Sequence, residues 1–133
     1  MVSTRWTHSN TTVYNIGYHI IWCSKYRWKV LTNYIEIRLK ELLLSKAFEL
    51  GLVIEKMEVM PDHVHLLLDV DPKIGIYSVV TKIKGYTSKQ LREEFPAVKK
   101  RIPTLWTHSK FISSVGSVTL DVVKRYIDEQ KHV

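Results

Sequence analysis

Two histidines stand two positions apart in a stretch that is otherwise mostly apolar. His63 and His65 belong to PDHVHLLLDV, residues 61–70. Alternate residues of a β-strand project to the same side and lie roughly 6.5–7 Å apart along the chain, so two imidazoles can converge on one metal ion. A third ligand would have to arrive from elsewhere in the fold. Two partly exposed strand histidines without a special task explain the same pattern. The pair alone therefore does not distinguish a metal site from ordinary strand residues.

A tyrosine and a glutamine lie one helical turn apart near the end of the chain. Tyr126 and Gln130, in KRYIDEQ, are spaced i, i+4 and share one face if the segment is helical. Packing and solvation explain them without chemistry. Alternatively, the tyrosine attacks a DNA phosphodiester, which forms a phosphotyrosine and releases a sugar hydroxyl. Two neutral histidines and an amide oxygen suit Mg²⁺ or Mn²⁺ beside that phosphate, although zinc also binds imidazoles.

The elements that must position these residues follow from periodicity and from capping signals. Asn33 and Glu36 resemble a capping box at the start of a helix that Gly51 would end. We predict strands at 14–23, 53–60, 63–70 and 105–112, helices at Asn33–Leu50 and about 76–94, and a last helix from the cap Thr119 to about Gln130. This order predicts an α+β fold: a ferredoxin-like (RRM-like) βαββαβ antiparallel sheet, two helices covering one face, and an extra C-terminal helix.

Alternation along the third strand divides its residues between the two faces of the sheet. Val64, Leu66, Leu68 and Val70 are expected to face the helix-covered core, and His63, His65, Leu67 and Asp69 to face the other side. On the second strand, Val53, Met57 and Val59 share one face, and Glu55 breaks the pattern.

The totals of the chain restrict its class and its partners. Its 133 residues fit a single domain, 1–133, with residues 1–12 as a loose tail. Lys and Arg number 20 against 13 Asp and Glu, a net charge of +7 that favours nucleic acid or an anionic membrane surface. A single cysteine, Cys23, excludes an intrachain disulfide and fits a reducing cytoplasm. Neither a membrane-spanning run nor a signal-peptide pattern is evident, so we expect a cytoplasmic protein without a membrane partner.

Two basic segments could hold single-stranded DNA. Lys25, Arg27 and Lys29 alternate with Tyr26 and Trp28, so phosphate contacts and base stacking could occur together. A second basic surface is expected on the second helix, at Lys84, Lys89 and Arg92. Ordinary solvated charge explains any one of these residues equally well. His19 and His108 are interpreted as structural or substrate-facing, not as metal ligands.

Taken together, the residues resemble the small HUH-type transposases with a single catalytic tyrosine, which move insertion sequences through single-stranded DNA. The related tyrosine transposases of repetitive extragenic palindromes share the pattern. The matching stretches are YHIIWCSKYRWKVL (18–31), MPDHVHLLLDVDP (60–72), KIKGYTSKQL (82–91), LWTHSKFISSVGSV (105–118) and YIDEQ (126–130). The His-apolar-His triplet alone is a weak motif, but with a Tyr-x-x-x-Gln end helix at this spacing it is strong.

The resemblance implies a metal-dependent transposase that cleaves and rejoins single-stranded DNA at the ends of an insertion sequence. His63, His65 and Gln130 would bind Mg²⁺ or Mn²⁺, and Tyr126 would form a 5′-phosphotyrosine link. The implied substrates are hairpin ends. The implied assembly is a homodimer, in which the tyrosine helix of one subunit can complete the histidine site of the other. The small residues of SSVGS, 113–117, suit a linker to such a helix.

Two alternative functions use parts of the same pattern. A replication-initiator or relaxase-type nickase shares the histidine pair and the tyrosine, but such initiators commonly place a lysine three residues after the tyrosine, where this chain has Glu129. A non-catalytic nucleic-acid-binding module on the same sheet explains the positive charge, but it leaves the histidine pair and Tyr126–Gln130 unexplained.

Overall fold

The computed structural model describes residues 7–8, 13–14, 17–114 and 120–130. Its elements are β1 (Thr7–His8), β2 (Val13–Tyr14), β3 (Gly17–Cys23), α1 (Asn33–Leu50), β4 (Val53–Met60), β5 (His63–Asp69), α2 (Ile76–Glu94), α3 (Pro96–Arg101), β6 (Phe111–Ser114) and α4 (Leu120–Glu129). A 3₁₀ turn, Lys25–Arg27, follows β3.

Four strands form one antiparallel sheet in the order β4-β5-β3-β6, while β1 and β2 pair separately. The two central strands are the first and third of the βαββαβ unit, which is the ferredoxin-like arrangement. The predicted α+β fold is therefore confirmed. The register places Cys23 opposite His63 and Ile21 opposite His65. Since directly opposed residues of an antiparallel pair share a face, these four side chains project from the same side of the sheet.

The hydrophobic core fills the space between the sheet and the helices α1 and α2. It includes Ile20 and Trp22 from β3, Val64, Leu66 and Leu68 from β5, Val70 just beyond it, Leu39, Leu42 and Leu43 from α1, and Val80, Ile83 and Leu91 from α2. Each buried side chain of this size contributes about 1.5–3 kcal/mol relative to exposure. The predicted division of the third strand is confirmed, because its even-numbered residues lie in this core and His63 and His65 do not.

Two local predictions around α1 and β4 need correction. The helix α1 has the predicted bounds and ends at Gly51 with φ 72°, but its N-cap is Thr32, without a side-chain cap bond. Asn33 lies inside the helix with φ 54°, so the proposed capping box is wrong. In β4 the register shifts between Ile54 and Lys56, a bulge that explains why Glu55 breaks the alternation. The bulge moves Val53 to the face opposite that of Met57 and Val59.

The segment after α2 departs most from prediction. Pro96 begins the short helix α3, which the sequence analysis missed. The predicted strand 105–112 is wrong: β6 covers only Phe111–Ser114, and Trp106 makes an isolated bridge to Ser24.

The predictions for the two termini are tested only in part. Residues 7–8 of the predicted tail form the strand β1, whereas the predicted cap Thr119 and the linker residues 115–117 lie outside the described residues. In the described part of the chain, none of the helices is both long and apolar enough to cross a bilayer.

Candidate active site

The histidine pair lies on the face of the sheet opposite α1 and α2, which we call the open face. Across the sheet from His65 lie Ile21 and, beyond it, Phe111. Ile21 and Cys23 are fully buried although they project away from the helix-covered core. Near the two central strands, this face is therefore covered by other parts of the chain. The helix α4 is one of these parts, as its contacts described below show.

His63 is oriented by the carboxylate that precedes it. Its Nδ1 lies 2.8 Å from Oδ1 of Asp62, while Oδ2 of Asp62 accepts from Nε and Nη2 of Arg27, each at 2.9 Å. Burial pushes the pKa of Asp62 upward, but hydrogen bonds from His63 and Arg27 together outweigh it and hold the pKa below its usual range. A carboxylate that fixes Nδ1–H leaves Nε2 of the imidazole free to bind a metal, the usual support of a histidine ligand.

Arg27 reaches Asp62 from a turn with unusual backbone geometry. Tyr26 and Arg27 have φ values of 57° and 55°, in the left-handed region that costs non-glycine residues roughly 1–3 kcal/mol each. The contacts with Asp62 help to offset that cost. The Nη1 of Arg27 also lies 3.5 Å from Oδ1 of Asp128, which stands between Tyr126 and Gln130 on α4. The guanidinium therefore links the surroundings of His63 to the last helix.

His65 is paired with a histidine that sequence analysis treated as structural or substrate-facing. Nδ1 of His19 and Nε2 of His65 lie 3.0 Å apart. Burial lowers the pKa of both imidazoles, and the nearby Lys56 lowers both further, so the neutral forms are favoured at pH 7. A neutral imidazole is the metal-binding form. His19 stands diagonally across from His65 in the register, a relation that becomes visible only when the strands are aligned.

Tyr126 and Gln130 are joined through a serine that the sequence did not single out. The Tyr126 hydroxyl donates to Oγ of Ser109 at 3.3 Å, and Ser109 donates to Oε1 of Gln130 at 2.5 Å. The Tyr126 ring packs against Phe111 with ring centroids 5.4 Å apart. The two α4 side chains therefore share the predicted helix face, and that face lies against the open side of the sheet. The side chains of Leu120 and Val123, predicted to dock this helix, lie outside the described residues.

The phenol of Tyr126 is held in its neutral form. Burial raises the pKa of Tyr126 to about 12, the nearby Cys23 adds to the increase, and the hydrogen bond with Ser109 opposes it. Burial also raises the pKa of the Cys23 thiol, to about 11. A tyrosine in this environment becomes a strong nucleophile only when its proton is removed during the reaction.

The donors around the histidine pair fit a divalent metal only if ligands of a further type take part. Within the described residues, no three side chains drawn from His, Cys, Asp and Glu are grouped so that they could hold a metal ion. Two imidazoles would need an amide, water or substrate oxygen to complete the coordination. Gln130 is the candidate for the amide ligand, because it is buried and shares the helix face of Tyr126. No bond joins Tyr126 or Gln130 to either imidazole among the described contacts.

The expected DNA-contact residues divide into exposed and engaged groups. Tyr26 and Trp28 are exposed, with ring centroids 5.8 Å apart, and the ammonium of Lys25 lies 5.1 Å from the Tyr26 ring centroid. The guanidinium of Arg27 is paired with the carboxylates of Asp62 and Asp128. This segment thus presents two aromatic rings at its surface, with the half-buried Lys25 over one of them and the exposed Lys29 beside them.

On α2, one of the three expected basic residues is not at the surface. Lys84 is buried and donates to main-chain carbonyls of the segment 107–109, so the predicted exposed surface does not include it. Arg92 donates to the carbonyl of Ile102 at 3.0 Å, and Lys89 is exposed. His108, read with His19 as structural or substrate-facing, is exposed.

Comparisons with known proteins agree on one family. The sequence profile described as "Transposase IS200 like" matches residues 12–130. The chain is 38% identical to ISDra2 transposase TnpA of Deinococcus radiodurans over 120 residues, which are 89% of this chain and 86% of that protein. It is 28% identical to the transposase for insertion sequence element IS200 of Salmonella typhimurium over 125 residues, 90% and 82% of the two chains.

Two solved structures resemble the fold. A crystal structure described as a transposase from Deinococcus radiodurans superposes with a TM-score of 0.87 at 34% identity, covering 96% of this chain and 99% of that one. A REP-associated tyrosine transposase bound to a REP hairpin superposes with a TM-score of 0.56 at 17% identity, covering 94% and 74%, and supports the fold alone.

Proposed function

Since this chain belongs to the family of IS200-like transposases, we propose that it cleaves and rejoins single-stranded DNA through a covalent tyrosine intermediate. Membership in this family implies DNA cleavage and transposition. The finer chemistry is our proposal: Tyr126 is the nucleophile, and His63, His65 and Gln130 bind Mg²⁺ or Mn²⁺. The observation that supports it most is that the helix carrying Tyr126 and Gln130 packs on the sheet face bearing both histidines.

In the proposed cleavage step, Oη of Tyr126 forms a bond to phosphorus and the P–O3′ bond breaks. The phenol proton passes to the departing oxygen, so one strand ends in a 3′-hydroxyl and the other carries a 5′-phosphotyrosine. A 3′-hydroxyl of another strand end can then attack the same phosphorus, and the phenol regains its proton. One phosphodiester is exchanged for another, so the joining step needs no external energy source.

Each residue of the site has a definable part in this step. Asp62 holds Nδ1 of His63 and leaves Nε2 available as a ligand, while burial keeps His65 neutral. A bound divalent ion supplies positive charge that polarises the phosphate. Ser109 holds the Tyr126 hydroxyl and the Gln130 amide together.

The proposed substrate is a single strand that carries a hairpin, and the proposed assembly is a homodimer. One solved relative of the same fold was captured with a REP hairpin, which motivates the choice of substrate for this chain. The exposed Tyr26 and Trp28 beside Lys25 provide stacking and phosphate contacts suited to unpaired bases. We place Lys25 and Lys89 among the proposed DNA contacts, and we do not include the buried Lys84 among them.

The test is a search for the covalent product with a defined label. The purified protein is incubated with Mg²⁺ or Mn²⁺ and a pool of single-stranded oligonucleotides that carry a hairpin and a randomised flank. A 5′-phosphotyrosine retains the downstream fragment, so a 3′ label should shift to the protein on a denaturing gel, and a 5′ label should not. Tyr126→Phe should abolish the shift, while the matched control Tyr34→Phe, at an exposed position on α1, should retain it.

The opposite results identify which part of the proposal fails. An adduct that persists in Tyr126→Phe refutes the assignment of the nucleophile. A shift of the 5′ label refutes the proposed polarity and favours a 3′-linked intermediate. Binding of the pool without any adduct under either metal, by wild-type protein, favours a nucleic-acid-binding module over a nuclease.

A further inference from the structure

The ammonium of Lys84 on α2 is buried and has no carboxylate partner among the described contacts. Nζ of Lys84 donates to the carbonyl of Thr107 at 2.7 Å and to that of Ser109 at 3.1 Å, with the carbonyl of His108 at 3.5 Å. Burial lowers the pKa of Lys84 to about 8, and the nearby Lys110 adds to the effect. An ammonium has three donors, and here they converge on consecutive carbonyls of one segment.

The segment that Lys84 holds is also tied to its surroundings on both sides. Nε1 of Trp106 donates to Oγ1 of Thr87 on α2 at 3.1 Å. The amide of Thr107 donates to the carbonyl of Cys23 in β3 at 3.1 Å. These bonds fix the segment between the helix layer and the central strand. They explain why the residues before Phe111, which were predicted to belong to the strand 105–112, lie outside β6.

The last residue of this segment is the one that contacts α4. The carbonyl of Ser109 accepts from Lys84, and its hydroxyl accepts from Tyr126 and donates to Gln130. Its position therefore depends on the ammonium, and the positions of the phenol and the amide depend on its hydroxyl. We propose that Lys84 is a positioning residue, which acts through the segment 107–109 and Ser109 to hold Tyr126 and Gln130 at the open face.

This inference rests on the proposed function for its catalytic consequence, but its structural part stands on the contacts alone. Direct binding of DNA by Lys84 is disfavoured because its side chain is 9% exposed and its donors are used. A purely stabilising lysine would support the whole fold equally. A positioning lysine instead affects α4 selectively, and the two roles can be separated by experiment.

The first experiment measures the rate of adduct formation in a double-mutant cycle. Lys84→Met keeps the apolar stem and removes the ammonium, and Lys82→Met is the control at an exposed position of the same helix. We expect Lys84→Met to slow the single-turnover rate on the order of 10-fold or more, because small displacements of reacting groups are costly. Its affinity for the same oligonucleotide should match that of Lys82→Met.

The cycle also identifies the route. If Lys84 acts through Ser109, then Lys84→Met slows adduct formation much less in a Ser109→Ala background than in the wild type. Fully additive effects, or equal rates for Lys84→Met and Lys82→Met, would overturn the proposal. Lys84→Gln, which keeps an N–H donor without the charge, should give an intermediate rate and provides a second variant if Lys84→Met does not fold.

The second experiment does not depend on activity. Amide hydrogen exchange of α4 should be faster in Lys84→Met, Lys84→Gln and Ser109→Ala than in wild type, while exchange in α1 stays unchanged. Unchanged α4 exchange in all three variants would overturn the proposal even if the chain proved catalytically active. Faster α4 exchange in a chain that forms no adduct would instead support the positioning contacts and refute the proposed function.

Discussion

Replacing Asp62 by asparagine should weaken metal binding at His63 while leaving the fold largely intact. Asp62 is 7% exposed and serves two donors, Nδ1 of His63 through one oxygen and Arg27 through the other. An asparagine has one oxygen and one NH₂ group, so it can accept from only one of them and turns a donor toward the other. Asp62→Asn must therefore release the imidazole or leave the guanidinium facing a donor.

The size of the effect follows from those contacts. Loss of an outer partner of a histidine ligand typically lowers metal affinity by about 10–100-fold, which corresponds to about 1.4–2.8 kcal/mol. The amide oxygen is expected to stay with Arg27, whose side chain is 19% exposed and donates two hydrogen bonds to Asp62, so that the NH₂ group faces His63. The release of one partner from this buried position should also lower folding stability, by about 1–3 kcal/mol.

The assay is a titration with Mn²⁺, whose free ion is detected by electron paramagnetic resonance. Asp62→Asn is compared with Asp71→Asn, a matched change in the loop after β5, and with His63→Ala. We expect Asp71→Asn to bind as the wild type does, Asp62→Asn to bind about 10–100-fold more weakly, and His63→Ala to bind most weakly. Wild-type affinity in Asp62→Asn, with affinity lost in His63→Ala, would refute the role given to the carboxylate. Wild-type affinity in both would place the metal elsewhere.

Three further predictions concern Tyr126, the paired histidines and the assembly of the chain. Burial raises the pKa of Tyr126 to about 12. Without metal or DNA, the tyrosinate absorbance at pH 10 should therefore be equal in the wild type and in Tyr126→Phe. A higher absorbance in the wild type would contradict the burial of this phenol. The pKa values of His19 and His65 are lower in the folded state than in the unfolded chain, so the folded state binds fewer protons. The free energy of unfolding should therefore fall as the pH drops below about 6.5, and it should fall less steeply in His65→Ala. Equal slopes for the two proteins in thermal denaturation would count against the pairing. For the proposed homodimer, light scattering should give about twice the chain mass of 15.6 kDa, and a monomer mass with and without DNA would exclude it.

The secondary structure was predictable where one local signal was strong. The helix α1 was predicted to the residue because an apolar stripe runs through it and Gly51 ends it with φ 72°. The histidine pair was assigned to the correct face, because side-chain alternation needs only the strand itself. Where two local signals competed, prediction failed: Asn33 is a good capping residue, but Thr32 immediately before it occupies the cap position.

The contacts within the site were less predictable because they join residues distant in sequence. His19 and His65 lie 46 positions apart and meet only through the register of β3 and β5. Ser109 belongs to a segment whose apolar residues are typical of a strand. Its carbonyl nevertheless accepts a hydrogen bond from the Lys84 ammonium on α2 and not from a neighbouring strand. In the sequence Lys84 directly follows Ile83 of the apolar stripe, and nothing local separates it from the exposed lysines of the same helix, so it was predicted as surface charge.

The proposed covalent intermediate is tested by identifying the residue of this chain that becomes bonded to DNA. The adduct formed with the 3′-labelled hairpin pool is trimmed with nuclease, digested with protease and sequenced by tandem mass spectrometry. We expect a nucleotide attached through phosphate to Tyr126, in the peptide that also contains Gln130, and no other modified residue. A nucleotide on another tyrosine or on a serine, in wild-type protein, would contradict it.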